Sequence, residues 1–226
     1  MSSKNEKEAS NRSPLLRPGP VGGKRDSNRQ RRVEELQQAA LTLFLENGIE
    51  GVSIDDIAAS AAAAKGSFYR YFQDKEALVS SLLSPVSEAV LHTMGRGAEE
   101  LSRLGSQEGA SQGLAEVYGV LGRSLAEVLL AQLGVVRLYL QECRGPAVGA
   151  RRPICALAAE LRRQALDLTK EAQRYGLLRT FDPRVSSLAV IGAVEQLLLA
   201  VLSGEDFEAP EQVGSLVSLI LDGLKP

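Results

Sequence analysis

The chain has 226 residues and a formal net charge of −2, and it is long enough to bury a sizeable core. Leucine and alanine supply 62 residues, whereas threonine occurs four times and isoleucine six times. Because unbranched side chains lose little rotamer freedom in a helix, this composition predicts an all-α protein. We recognise no signal peptide, no apolar run as long as a membrane span, and no metal or redox spacing of Cys143 and Cys155. We therefore expect a cytoplasmic protein without disulfides, metal or cofactor.

Charge is unevenly distributed along the chain. Residues 1–32 carry nine Lys/Arg against three Asp/Glu, and the rest of the chain is acidic. Residues 1–26 are rich in Ser, Asn, Pro and Gly and show no hydrophobic periodicity, which predicts a disordered basic arm. Such an arm fits contacts with nucleic acid and fits a solubilising tail equally well.

The first helices are predicted from apolar spacing and capping residues. Apolar side chains recur on one helical face over residues 27–47, and Gly48 stands where a left-handed cap is expected. Ser53 is the expected N-cap of a second, short helix, with Asp56 in its first turn. A third helix is expected over residues 65–72.

The remaining pattern is helical to the end of the chain. Asp74 is expected to cap a fourth helix, and Pro85 should kink or break that helix because proline removes a backbone hydrogen bond. Glycine and proline clusters then separate further helices. These are predicted at about 107–132, 134–144, 150–177, 184–203 and 209–224.

Aromatic residues are concentrated after the second helix. The chain has ten aromatic residues, and four of them lie at positions 68–72. Helical spacing puts Phe68 and Phe72 on one face, where they are expected to belong to the core. Basic and hydroxyl side chains point the other way: Lys65, Ser67, Tyr69, Arg70 and Tyr71. This pattern favours a helix-turn-helix whose second helix enters the DNA major groove.

These residues carry a family resemblance. The run SIDDIA at 53–58 and the run KGSFYRYFQDKEAL at 65–78 closely resemble the DNA-binding domain of TetR-type transcriptional regulators, over about residues 29–80. The resemblance implies an N-terminal three-helix DNA-binding domain at 27–80. It further implies a C-terminal helical domain at 81–226 that binds a ligand and forms a dimer.

The resemblance also implies which residues contact DNA. Ser53 and Lys75 are expected at phosphates, and the recognition helix is expected to present Lys65, Gly66, Ser67, Tyr69, Arg70 and Tyr71. Arg70 suits bidentate reading of a guanine, with a phosphate contact as the equal alternative. The chain departs from the family at Ala62 and Ala64, where a glycine in the turn and a serine or threonine cap are common. We therefore expect the recognition helix to lack a side-chain cap.

The last two helices are expected to form the dimer interface. Residues 184–203 are apolar almost all round, so this helix has to be covered on every side. Residues 209–224 cover one side, and a partner subunit covers another, with a buried helix in a monomer as the alternative. Two-fold symmetry then predicts a palindromic operator in double-stranded DNA. Glu195 is expected to pair across the dimer interface, with a position facing the ligand as the alternative.

The effector is the least determined part of the prediction. His92, Tyr118, Tyr139 and Gln141 are candidate polar contacts to a small molecule, each with a structural role as the alternative. The Leu-rich body suits an aliphatic effector. Cys143 beside Arg144 is considered as an activated thiol.

The expected function is a ligand-responsive repressor that binds a palindromic operator as a dimer and is released by a small-molecule effector. The alternative is a DNA-binding architectural or division-linked regulator without an effector. A helical protein-interaction dimer is a third possibility. An enzyme is not expected, because the chain has one histidine and no phosphate loop or nucleophile motif.

Overall fold

The computed structural model describes residues 24–106, 113–205 and 209–224. Within these ranges the chain is helical and has no strand, which confirms the all-α prediction. The helices are α1 Lys24–Asn47, α2 Ile54–Ser60, α3 Lys65–Phe68, α4 Lys75–Gly105, α5 Leu114–Leu130, α6 Leu133–Glu142, α7 Arg152–Arg174, α8 Pro183–Leu202 and α9 Ala209–Leu224. A short 3-10 turn, Gly149–Arg151, precedes α7. Residues 1–23 of the predicted arm and 107–112 of the predicted fifth helix lie outside the described residues.

The first three helices and the start of α4 share one apolar core. The side chains at its centre are fully buried or nearly so: Leu36, Ala40, Phe44, Ile57, Phe68 and Leu78. They come from four different helices, so burying them fixes how these helices are arranged. Removing this much apolar surface from water is the main stabilising term for so small a unit.

The helix ends follow the predicted capping residues. Gly48 has φ +72°, and its amide donates to the Phe44 carbonyl at 2.9 Å. Ser53 and Asp56 form a reciprocal capping box: the Asp56 amide donates to Ser53 Oγ at 3.2 Å, and the Ser53 amide donates to Asp56 Oδ2 at 2.9 Å. Asp74 accepts from the Ala77 amide at 2.7 Å. These caps fix the boundaries of α1, α2 and α4.

One predicted helix boundary is wrong, and the structure decides the alternative left open at Pro85. Helix α3 ends at Phe68 rather than residue 72, because the chain continues in turns in which Arg70 and Tyr71 donate to Ser67 and Phe68 carbonyls. Pro85 does not end α4, which runs from Lys75 to Gly105. Buried neighbours such as Leu82 and Val86 hold the helix against the core on both sides of the proline.

The C-terminal domain is a helical bundle built around α4. Helices α5 and α7 pack against α4, α9 packs against α5, and α8 packs against α7. Helix α6 contacts α8 on one side and α1 of the N-terminal domain on the other. It therefore joins the two domains physically.

Candidate nucleic-acid interface and ligand cavity

The segment 65–72 has one buried face and one exposed face, as predicted. Phe68 and Phe72 are buried, with ring centroids 5.6 Å apart, whereas Tyr69 is 51% exposed. Lys65, Gly66 and Arg70 are exposed, and Ser67 and Tyr71 are half-buried. A Cβ added at Gly66 would meet nothing within 4 Å, so the backbone there is open to a close approach. This face has the composition of a groove-binding surface.

The charged groups of this face differ in their partners. Lys65 Nζ lies 2.9 Å from Asp55 Oδ2 of α2, and this hydrogen bond raises the pKa of Lys65. Arg70 has no ion pair among the described residues. Its guanidinium is therefore free to bind a base edge or a phosphate.

The turn between α2 and α3 contains the two alanines that depart from the family pattern. Ala62 has φ +48°, a left-handed conformation that is costly for a residue with a Cβ. Ala64 stands at the N-cap of α3 and makes no side-chain cap hydrogen bond. The expectation of an uncapped recognition helix is confirmed.

Ser53 and Lys75 already have partners inside the domain. The Ser53 hydroxyl donates to Asp56 Oδ2 at 2.6 Å. Lys75 Nζ donates to the carbonyls of Ile49 and Val52 at 2.6 and 2.8 Å, which ties the α1–α2 loop to the start of α4. Their contacts with phosphate remain predictions, and Lys75 would have one ammonium proton left for such a contact.

An apolar cavity of about 260 Å³ lies among α4, α5, α6, α7, α8 and α9. Two of the four predicted effector contacts, Tyr118 and Tyr139, line it. His92 does not: its side chain is exposed, because it lies between the buried residues Val90 and Met94 on α4 and points to solvent. Gln141 is exposed as well, and its amide donates to the Phe44 carbonyl at 3.1 Å. His92 and Gln141 therefore lie outside the cavity.

Glu195 is the polar centre of the cavity wall. It lines the cavity, accepts from the Tyr139 hydroxyl at 3.2 Å and lies 2.9 Å from Arg144 Nη2. Both of these partners belong to its own chain, and the pairing of Glu195 across a dimer interface stays a prediction. Burial and the charge of Glu195 raise the pKa of the Cys143 thiol, so the structure contradicts an activated thiolate there.

A second buried carboxylate joins the domains. Glu142, at the end of α6, is 5% exposed. It accepts from the Ile49 amide at 3.1 Å and from Arg151 Nε at 2.7 Å. A Cβ added at Gly48 would lie 3.3 Å from its Oε1. The sequence does not predict these partners, because nothing in the spacing of Glu142 distinguishes it from an exposed glutamate at a helix end.

Helices α8 and α9 leave apolar side chains exposed. Val185 and Leu188 of α8 are 64% and 59% exposed, and Leu219 of α9 is 73% exposed. An added Cβ at Gly192 or Gly214 would meet nothing within 4 Å. Helix α8 is also the one helix of the described residues that is long and apolar enough to cross a membrane. Only 11% of this apolar window is buried within the chain, and length and composition alone do not distinguish a membrane span from a helix that other protein surfaces cover.

No group of three or more metal-ligating side chains occurs among the described residues. A helix-turn-helix with an exposed face, followed by a helical bundle with a cavity, is the architecture of a class of DNA-binding transcriptional regulators.

Comparisons with known proteins match the N-terminal segment to one family. The sequence model for "Bacterial regulatory proteins, tetR family" matches residues 36–82. The chain is 36% identical over 69 residues to the transcriptional repressor DhaR of Mycobacterium sp. (strain GP1), which is 30% of this chain and 35% of DhaR. It is 40% identical over 52 residues to the repressor KstR2 of Mycolicibacterium smegmatis, 23% of this chain and 25% of KstR2. The matched region thus spans about a quarter to a third of these curated relatives.

Solved structures resemble the whole fold. FadR from Bacillus subtilis in complex with stearoyl-CoA has a TM-score of 0.61 at 19% identity, covering 84% of this chain and 98% of that one. PfmR from Thermus thermophilus has a TM-score of 0.61 at 19% identity, covering 91% and 100%. Residues 36–82 match the tetR family model, so the resemblance drawn from the residues is confirmed for this N-terminal segment. DhaR and KstR2 are named as transcriptional repressors, and FadR and PfmR as transcriptional regulators.

Proposed function

We propose that the protein is a cytoplasmic repressor that binds a palindromic operator as a homodimer and is released by a small molecule bound in the α4–α9 cavity. The observation that carries the proposal is the exposed face at 65–71, with a free Arg70 guanidinium, on a domain of the tetR family. The named relatives DhaR and KstR2 are repressors.

The DNA contacts proposed are those of the exposed face. Lys65, Gly66, Ser67, Tyr69, Arg70 and Tyr71 contact the major groove and its flanking phosphates, and Ser53 and Lys75 lie at phosphates. Arg70 is the residue assigned to base reading, because its planar fork matches guanine and no carboxylate of the described residues occupies it. Residues 1–26 are proposed to add phosphate contacts as a basic arm.

The homodimer is proposed to form through residues 184–203 and 209–224. The exposed Val185, Leu188 and Leu219 support it, because a soluble chain gains from covering contiguous apolar side chains. The open space at Gly192 and Gly214 supports a close approach of partner helices. An isologous interface then places the two recognition helices about a two-fold axis.

Coupling between cavity and DNA is proposed to run through α6. This helix carries Tyr139, which lines the cavity, and Glu142, which holds the α1–α2 loop through the Ile49 amide. A ligand that moves α6 changes the position of the N-terminal domain. A coupling free energy of about 1–3 kcal/mol is sufficient for a switch. The alternative of an architectural regulator without an effector is less favoured, because the cavity has a defined polar centre at Glu195.

The test is selection of bound DNA from a random duplex pool at a stated salt concentration. We expect an enriched palindrome. Substitution Arg70→Ala should weaken binding by about 1–3 kcal/mol and relax the sequence at one position of each half-site. Arg179→Ala, an exposed arginine outside the N-terminal domain, is the matched control and should leave affinity unchanged. A folded dimer that enriches no sequence would reject the proposal.

A further inference from the structure

The chemistry of the cavity wall restricts which molecules it accommodates. Among the described lining residues Glu195 carries the only formal charge, and most of the others are Leu, Val, Ile and Ala. Arg144 and Arg162 are near enough to affect the pKa of Cys143, but both are exposed and neither lines the cavity. An anionic group entering the cavity would therefore lose its hydration and meet the Glu195 carboxylate, whose ion-pair partner Arg144 lies outside the lining.

The Glu195 carboxylate has acceptor capacity left. The Tyr139 hydroxyl and the Arg144 guanidinium donate to it, whereas a carboxylate offers about four lone-pair positions. Burial and the negative charge of Glu195 raise the pKa of Tyr139, so its phenol stays protonated and remains a donor. Glu195 thus faces the cavity as an acceptor for one more donor.

A second polar group in the cavity wall lacks a partner. Tyr118 lines the cavity, and its hydroxyl makes no hydrogen bond with any described residue. Burial raises the pKa of Tyr118 to about 12, so this phenol is also neutral. It offers both a donor and an acceptor to an uncharged ligand.

The volume sets the size of the ligand. A cavity of roughly 150 Å³ holds one benzene molecule, which corresponds to about 25 Å³ of cavity volume for each heavy atom of the ligand. The 260 Å³ found here therefore corresponds to on the order of ten heavy atoms.

We propose that the cavity binds an uncharged aliphatic molecule of about this size whose polar end donates a hydrogen bond to Glu195, and that it rejects carboxylates. This inference rests on the proposed function, because it names the chemical class of the effector at the same site. Glu195 is its specificity-determining residue: it accepts from a hydroxyl or an amide and repels an anion.

Three probes of matched chain length test the proposal by titration calorimetry at pH 7.5 without DNA. They are 1-decanol, decanoate, and 1-methoxynonane, an isomer of decanol that lacks the donor. We expect decanol to bind about tenfold or more tightly than decanoate, and several-fold more tightly than the ether. Decanoate binding as tightly as decanol would overturn the proposal, and so would the absence of binding by all three probes.

Substitution tests the assigned residue. Glu195→Gln should reduce the ratio of decanol affinity to decanoate affinity by about tenfold, because the charge that repels decanoate is gone. Glu99→Gln, at an exposed glutamate outside the cavity, is the matched control and should leave the preference unchanged. If Glu195→Gln does not fold, as judged by circular dichroism, Tyr139→Phe replaces it. Tyr139→Phe should raise the ratio of decanol affinity to decanoate affinity, because one donor that offsets the Glu195 charge is lost. A lower ratio than in the unmodified protein contradicts the assignment of Glu195.

The two proposals fail in different ways. Decanol that binds with the expected preference but leaves the protein on its selected operator would reject the effector function and keep the cavity assignment. An operator complex that forms normally while decanol does not bind would reject the cavity assignment and keep DNA binding.

Discussion

The N-terminal domain and the α8–α9 region bury their apolar side chains in different ways. In the first, Leu36, Phe44, Phe68 and Leu78 are buried within one chain, and the exposed side chains of the recognition segment are polar or phenolic. In the second, the apolar side chains Leu188 and Leu219 are exposed. The N-terminal domain therefore buries its apolar side chains without a partner and exposes polar groups, whereas the α8–α9 region leaves apolar side chains in contact with solvent.

The largest expected effect comes from placing a charge on the uncovered region. Leu188→Glu should prevent burial of the α8 face and give a monomer by analytical ultracentrifugation. Operator affinity should fall by roughly a hundredfold or more, because the two half-site contacts are no longer linked. Val148→Glu, which changes an apolar side chain of similar exposure in a loop, is the control and should leave the dimer intact. A dimeric Leu188→Glu protein would show that the two regions do not differ as described.

A change in stability of intermediate size is expected where α6 contacts the N-terminal domain. Glu142→Gln keeps the shape of the side chain but leaves Arg151, whose side chain is 16% exposed, without its charged partner. The free energy of unfolding in urea should fall by about 1–3 kcal/mol. The exposed Glu99 provides the control, since Glu99→Gln should change stability by less than about 0.5 kcal/mol. Equal effects of both substitutions would mean that the Glu142 contacts contribute nothing to the domain junction.

The smallest change in stability is expected within the N-terminal domain, at the turn between α2 and α3. Ala62→Gly should raise the unfolding free energy by up to about 1 kcal/mol, because relief of the left-handed strain exceeds the added backbone entropy of the unfolded chain. Ala59→Gly in α2 should have the opposite sign and cost about 1 kcal/mol, since Ala59 is exposed and helical. Thermal unfolding followed by circular dichroism compares the two, and a loss of stability in Ala62→Gly contradicts the strain argument.

Local sequence signals predicted most of the fold. The cap residues Gly48, Ser53 and Asp74 mark helix ends because capping depends on the neighbouring backbone alone. The opposed faces of Phe68 and Arg70 followed from their spacing. The end of α3 and the continuity of α4 through Pro85 did not, because packing against the core decides whether a weak turn or a proline is tolerated in a helix.

The cavity was predicted least well, for a physical reason. Tyr118 and Tyr139 line it, but His92 and Gln141 do not. A polar residue in a helix is equally compatible with a surface position and a cavity wall until the rotation of that helix is known.

By itself, the sequence determined the helical class, the helix-turn-helix and the family resemblance of the N-terminal segment, because these depend on composition, capping and short-range spacing. Only the tertiary structure decided the partners of Glu142 and Glu195. Ile49 is 93 positions away from Glu142, and Arg144 is 51 positions away from Glu195. Contacts over such separations arise from helix packing, which no local pattern encodes.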